Sequence, residues 1–269
     1  MKKLIDRIYL FLVFIFLYAP IFILIVFSFN DSRLRGSWAG FTLRWYKNLF
    51  YDPSILSSLR TTLIVAVLAT LISTIIGTLA AIGIHELRGI KKDVILNINY
   101  LPVLNPDIVT AIALMGFFGL FKLSMGYCTM IISHIVFCIP YVILSILPKL
   151  NQLDTNTLEA ALDLGAKPFY AIRKVIIPQI KPAILTGALM AFTLSIDDFV
   201  VSFFNTGQGV TNLSITIYSM ARKGINPSIN ALSTLMLLIL LILLVIINRR
   251  SENKLRELSQ WKKFLYAYY

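Results

Sequence analysis

Charge is scarce in this chain. Of 269 residues only 14% are Asp, Glu, Lys or Arg, and the acids number 13 against 25 bases. So little charge cannot clothe a water-facing surface, which excludes an ordinary globular domain. Cysteine occurs twice, which excludes a disulfide-built scaffold. Cys128 and Cys138 are ten positions apart, about 280° around a helix, so they face different ways and read as small apolar side chains. Histidine also occurs only twice, at His85 and His134. His85 precedes Glu86 at the end of an apolar run, as a snorkelling pair does, while His134 lies alone inside another. No His/Cys/Asp/Glu cluster has metal-ligand spacing, and no Ser-His-Asp or Gly-x-Ser-x-Gly pattern is present. Neither is a G-x-x-x-x-G-K-[ST] loop, so the chain has no nucleotide site of that kind and no catalytic set.

What is abundant is apolar sequence: 58% hydrophobic, with a mean hydropathy of +0.79. A bilayer core about 30 Å thick needs roughly 20 apolar residues at about 1.5 Å per residue. Six runs qualify, from Ile8 to Phe29, Thr61 to Ile84, Leu101 to Phe121, Tyr127 to Leu147, Ile184 to Phe204 and Ile229 to Asn248. The first has no small-residue cleavage site behind it and is expected to be retained. The fold class is therefore an all-α integral membrane protein of six transmembrane helices. With a cytoplasmic N-terminus, 17 of the 25 bases fall in inner segments and 8 in outer ones. That asymmetry places both termini inside, and it explains the net charge of +12 through topology and anionic lipid rather than nucleic acid. Three regions follow: residues 1–56 with the first span and an outer segment, 57–248 as the core, and 249–269 as a cytoplasmic tail.

In the outer segment, Leu43, Tyr46, Leu49 and Phe50 recur at helical spacing and predict a short amphipathic helix. Trp38, Trp45 and Tyr51 are read either as an interfacial aromatic belt or as a docking surface for an extracytoplasmic partner. Asp52 and Pro53 read as the cap and first position of the second span. Before the third span, Pro102 and Pro106 are expected to break any helix rising from Val94. Asn105 then caps a helix whose first turn holds Asp107, where a carboxylate is favoured by the dipole.

The inner segment from 149 to 183 is long for a connection between packed helices. Asn156 and Glu159 have capping-box spacing, and Leu158, Ala161, Leu162 and Gly165 fall along one face. Gly165 supplies a stop and Pro168 a restart. Phe169, Ile172 and Ile176 carry the next stripe, which Pro178 is expected to end. The product is a helix-Gly-helix knuckle whose apolar stripe needs a partner.

The run Glu159-Ala160-Ala161, three residues, Gly165, nine residues, then Val175-x-Ile177-Pro178 resembles the EAA motif of bacterial ABC importer permeases. Val175 and Ile177 stand where Ile and Leu are usual. The segments "FTLRWYKNLFYDPSILSSLRTTL", "SIDDFVVSFFNTG" and "IYSMARKGINPSINALSTL" extend the likeness to the spermidine/putrescine permeases of that family. The resemblance implies a type I importer fold in a bacterial inner membrane and ATPase coupling through Glu159, Ala160, Ala161, Gly165 and Pro178. It also implies a second permease, two ATPase subunits that bind ATP and Mg, and an extracytoplasmic substrate-binding protein. Permeases for iron, thiamine or phosphonates share much of the same framework.

Asp197 and Asp198 sit in the fifth run, about 20 Å from its inner end. A charge at the bilayer centre costs about 2.5 to 3.5 kcal/mol on insertion scales, so two acids there need water, a partner or a cation. Neighbouring helical residues point about 100° apart, so the two cannot clamp one ligand on an unbroken helix. The expectation is that Asp198, and after it Asp197, faces a cationic substrate, with Phe199, Phe203 or Phe204 as a cation-π wall and Asp107 as a further pathway acid. The alternatives are a structural acid pair, and a proton-coupled carrier that uses Asp107, Asp197, Asp198 and His134 as a relay. No inverted repeat supports the carrier.

Overall fold

The computed structural model describes residues 2–32, 37–154, 156–222, 227–239 and 241–242, without the side chains of 2–5, 156 and 157. Every regular element among the described residues is a helix, as expected where no water is present to satisfy a free backbone. Two compact units divide the chain, residues 1–53 with 219–269, and residues 54–218.

In the first unit α1 (Lys2–Ser28) is a 27-residue helix long enough to cross a bilayer, with its apolar side chains exposed. Beyond it α2 (Arg44–Tyr51) is the expected short helix, but it turns a different face inward. Trp45 and Leu49 are buried, whereas Leu43 and Phe50 are exposed. The Trp45 indole N–H donates to the Asn30 carbonyl at 2.8 Å, and Tyr46 Oη lies 2.6 Å from Ser28 Oγ. Trp45 therefore belongs to neither an aromatic belt nor a docking surface; it locks α2 to the end of α1. A 13-residue apolar helix, α12 (Pro227–Ile239), covers the start of the sixth run. The rest of that run from 243 and the 249–269 tail lie outside the described residues.

The second unit opens on α3 (Pro53–Glu86), with Pro53 at its first position as expected; its 34 residues exceed a bilayer crossing. The third run is not one helix. α4 (Ile90–Leu104) passes straight through Pro102, and the break falls at Asn105 and Pro106. A proline restricts the residue before it, and Asn105 is accordingly extended at φ −80°, ψ 148°. Asn105 thus ends α4 rather than capping α5 (Asp107–Leu120), and the two helices meet at 107°.

α6 (Tyr127–Leu150) is the central helix of this unit. Its Phe137, Cys138, Val142, Ile143, Ile146 and Leu150 form the middle of the core cluster, against Ala81 of α3 and Ile180, Ala183 and Ala191 of the later helix α9 (Ile177–Asp197). Small residues permit this closeness. A Cβ on Gly77 would stand 2.7 Å from Val142 Cγ1, and one on Gly187 3.4 Å from the same side chain. Cys138 is buried in this core, while Cys128 is exposed.

Candidate functional site

Two regions carry the residues singled out above. The first is the inner segment, where α7 (Asn156–Asp163) and α8 (Pro168–Ala171) flank Gly165. Gly165 has φ +83°, and its N–H donates to the Leu162 carbonyl while that of Ala166 donates to Ala161, a Schellman closure. Lys167 is extended and Pro168 opens α8. The capping role read for Asn156 rests on a side chain outside the described residues.

Pro178 does not end the second helix. A π-helical turn, Ile172–Ile176, intervenes, and α9 (Ile177–Asp197) continues from it. Widening the helix just before a proline gives its ring room against the carbonyl four residues back, so the chain bends no further than it must. The apolar stripe also divides. Leu158, Ile172 and Ile176 turn into the core, while Leu162, Leu164, Phe169 and Tyr170 are exposed, Leu164 at 89%. These four form the apolar surface on the Gly165 knuckle, two of them not in the expected stripe. Glu159 is exposed and borders a cleft of about 280 Å³ that Ile172, His85, Arg88, Lys92 and Asp154 also line. His85 Nδ1 lies 3.0 Å from Asn151 Oδ1, so its partner is Asn151 rather than Glu86.

The second region is the acid pair, where the expected run from Ile184 to Phe204 is broken. α9 stops at Asp197, Asp198 is extended at ψ 127°, and a separate short helix, α10 (Val200–Asn205), follows. The Asp198 side chain is the cause. Its Oδ1 accepts the Val201 N–H at 3.0 Å, and its Oδ2 accepts the Ser202 N–H at 2.7 Å and hydroxyl at 2.9 Å. Donors at a helix start are unpaired within the helix, so a carboxylate that collects them fixes where the helix begins. Asp198 is buried at 9% exposure, whereas Asp197 is exposed. The single chain thus gives the outward position to Asp197 and a helix-capping position to Asp198, the reverse of the order expected from sequence. Asp107 is exposed at the first turn of α5.

Two residues after Asp197, Phe199 joins an aromatic cluster. Phe199 lies 5.3 Å from Phe203 and 4.6 Å from Tyr218 of α11 (Leu213–Arg222), centroid to centroid. Phe203 and Tyr218 are each exposed by about two-fifths. Phe204 instead packs on the core. Tyr218 escapes sequence reasoning because it is 20 positions from Asp198 and α11 has no periodic link to the acid pair.

His134 is not alone either. It is fully buried, with Nδ1 2.8 Å from Ser195 Oγ and Nε2 2.8 Å from Ser202 Oγ, and Asp198 Oδ2 lies 3.5 Å from Nε2. Ser195 and Ser202 stand three residues before and four after Asp198, so the sequence did carry a signal: hydroxyls at helical spacing around an intramembrane acid. Asn212 joins them, donating to Ser202 Oγ at 2.7 Å while its Oδ1 accepts the Ile215 N–H at 2.9 Å.

Among the described residues, four helices long and apolar enough to cross a membrane, a fifth crossing if the bent α4–α5 pair is one, and a helix-Gly-helix knuckle between them define a multi-pass membrane protein. Residues 73–257 match the family described as the binding-protein-dependent transport system inner membrane component, and the chain belongs to that family. It is 40% identical over 225 residues, 84% of this chain and 85% of the relative, to the spermidine/putrescine transport system permease protein PotC of Escherichia coli (strain K12). With the PotC of Haemophilus influenzae it shares 37% over 85% of this chain and 89% of that one. The putrescine transport system permease protein PotI of Escherichia coli (strain K12) is 38% identical over 83% of this chain and 82% of that one. The fold matches a bacterial ABC transporter that imports the acidic polysaccharide alginate, with a TM-score of 0.74 at 15% identity, covering 92% of this chain and 95% of that chain.

Proposed function

We propose that the chain is the permease subunit of an ATP-driven importer of polyamines in a bacterial inner membrane. It crosses six times, with the α4–α5 pair counted once and the α12 region as the last crossing, and both termini are cytoplasmic. A PotB-like second permease completes the path, two PotA-like subunits bind ATP and Mg, and a PotD-like protein delivers the substrate. The relatives named for spermidine and putrescine support this reading over more than four-fifths of the chain.

One observation carries the substrate class. Asp197 ends α9 with an exposed carboxylate two residues before Phe199, whose ring belongs to a cluster with Phe203 and Tyr218. A flexible polycation with an ammonium every few carbons needs acids to balance its charge and aromatic faces to replace lost water. Each such face contributes about 0.5 to 2 kcal/mol, depending on desolvation. Asp107 supplies a second exposed acid on another helix. The knuckle is the coupling element, with Glu159, Ala160 and Ala161 on α7, Gly165 closing it and Pro178 opening α9.

Radiolabelled spermidine uptake at matched membrane abundance tests the pathway. Asp197→Asn lowers uptake at least tenfold and Tyr218→Leu severalfold. Unchanged uptake in both removes the pathway role from this site.

A further inference from the structure

The fifth run is broken at Asp198, and a break inside a membrane leaves backbone groups without partners unless something else holds them. The Asp198 carboxylate holds the Val201 and Ser202 N–H groups, and side chains bridge the two helices. Ser195 belongs to the last turn of α9, Ser202 to the first turn of α10, and the His134 ring from α6 bonds both, one nitrogen to each hydroxyl at 2.8 Å. With Asp198 as acceptor, the Ser202 hydroxyl spends its single proton on Oδ2, and its two acceptor positions receive the Asn212 Nδ2–H at 2.7 Å and His134 Nε2. Nε2 is then a donor to Ser202, and Nδ1 pairs with the Ser195 hydroxyl. No group in this set is left over. The ring is completely buried, so water cannot substitute for it.

We infer that His134 is a positioning residue for transport: it splints the two halves of the fifth span across the Asp198 break and so fixes the direction in which Asp197 and the Phe199–Phe203–Tyr218 cluster point. Neither a metal nor proton transfer is required. The splint is a geometric device, and only its transport consequence rests on the pathway reading of Asp197.

The test pairs a distance with an activity. Spin labels at Thr193→Cys on α9 and Phe203→Cys on α10, in a chain with Cys128→Ser and Cys138→Ala, report the span across the break. His134→Phe keeps the ring and removes both bonds. It is expected to broaden or shift that distance and, in the otherwise unaltered chain within the assembled transporter, to lower spermidine uptake at least tenfold at equal membrane abundance. His134→Gln keeps a donor toward Ser202 and is expected to restore part of both. If His134→Phe fails to accumulate, the double variant Ser195→Ala and Ser202→Ala removes the same bonds and carries the same expectations. An unchanged distance overturns the splint, whether or not uptake falls. A changed distance with normal uptake leaves the splint standing and removes Asp197 from the pathway.

Discussion

At the scale of single residues, burial separates neighbours that sequence treats alike. Asp197 and Asp198 have the same chemistry and adjacent positions, yet one is exposed and the other is spent on the start of α10. Helical spacing could show that they diverge, but not which of them faces inward. That depended on Ser202 and His134, brought together only by packing α6 against α9 and α10. Gly77 shows the same dependence on tertiary contact. Nothing in its sequence setting distinguishes it from Gly83, whose added Cβ meets open space, whereas a Cβ at 77 stands 2.7 Å from Val142 Cγ1. Gly77→Ala should therefore cost about 1 to 3 kcal/mol through overpacking. Thermal unfolding of the purified complex measures this, and Val142→Ala in the same chain should recover most of the loss while Gly83→Ala causes little.

At the scale of elements, the sequence was most legible where local chemistry decides. The stop at Gly165 and the restarts at Pro53 and Pro168 needed only backbone preferences, and all three appear. Where prolines sit within a run of packed helix, local rules misplaced the breaks: Pro102 and Pro178 lie inside continuous helix, the second made possible by the π turn at Ile172–Ile176. Neighbouring helices decide whether a lost hydrogen bond ends an element, and no single stretch of sequence holds that information. The knuckle makes a discriminating prediction. A Cβ on Gly165 would touch nothing within 4 Å, so the need for glycine there comes from its φ of +83° alone. Asparagine tolerates the left-handed region and valine does not, at a difference of about 1 to 2 kcal/mol. Gly165→Asn should keep substrate-stimulated ATP hydrolysis coupled to uptake, while Gly165→Val should insert normally and lose the coupling. Equal behaviour of the two variants would show that the φ of this residue is irrelevant.

At the scale of the whole molecule, the proposed importer takes its energy from ATPase partners, a reading that the missing P-loop pattern first suggested. On that proposal, the exposed Leu162, Leu164, Phe169 and Tyr170 are the surface that meets the ATPase. Uptake should therefore require ATP and a binding protein and persist when the proton gradient is collapsed by an uncoupler under conditions that hold ATP constant. Uptake that tracks the gradient instead would favour a carrier. The cleft beside Glu159 adds a constraint of parity. Its walls come both from the end of α3 and the turn after it, at His85 and Arg88, and from the knuckle, at Glu159 and Ile172, so these two stretches share one side of the bilayer. Between them the chain runs through α4, α5 and α6, and α6 alone crosses once. On the proposed six-crossing topology the bent α4–α5 pair makes the other crossing: two half-length helices that together count as one, despite the 107° between them. The turn at Phe121–Gly126 must then emerge on the opposite face, where a thiol placed at Ser124 reacts with a reagent that cannot pass the membrane.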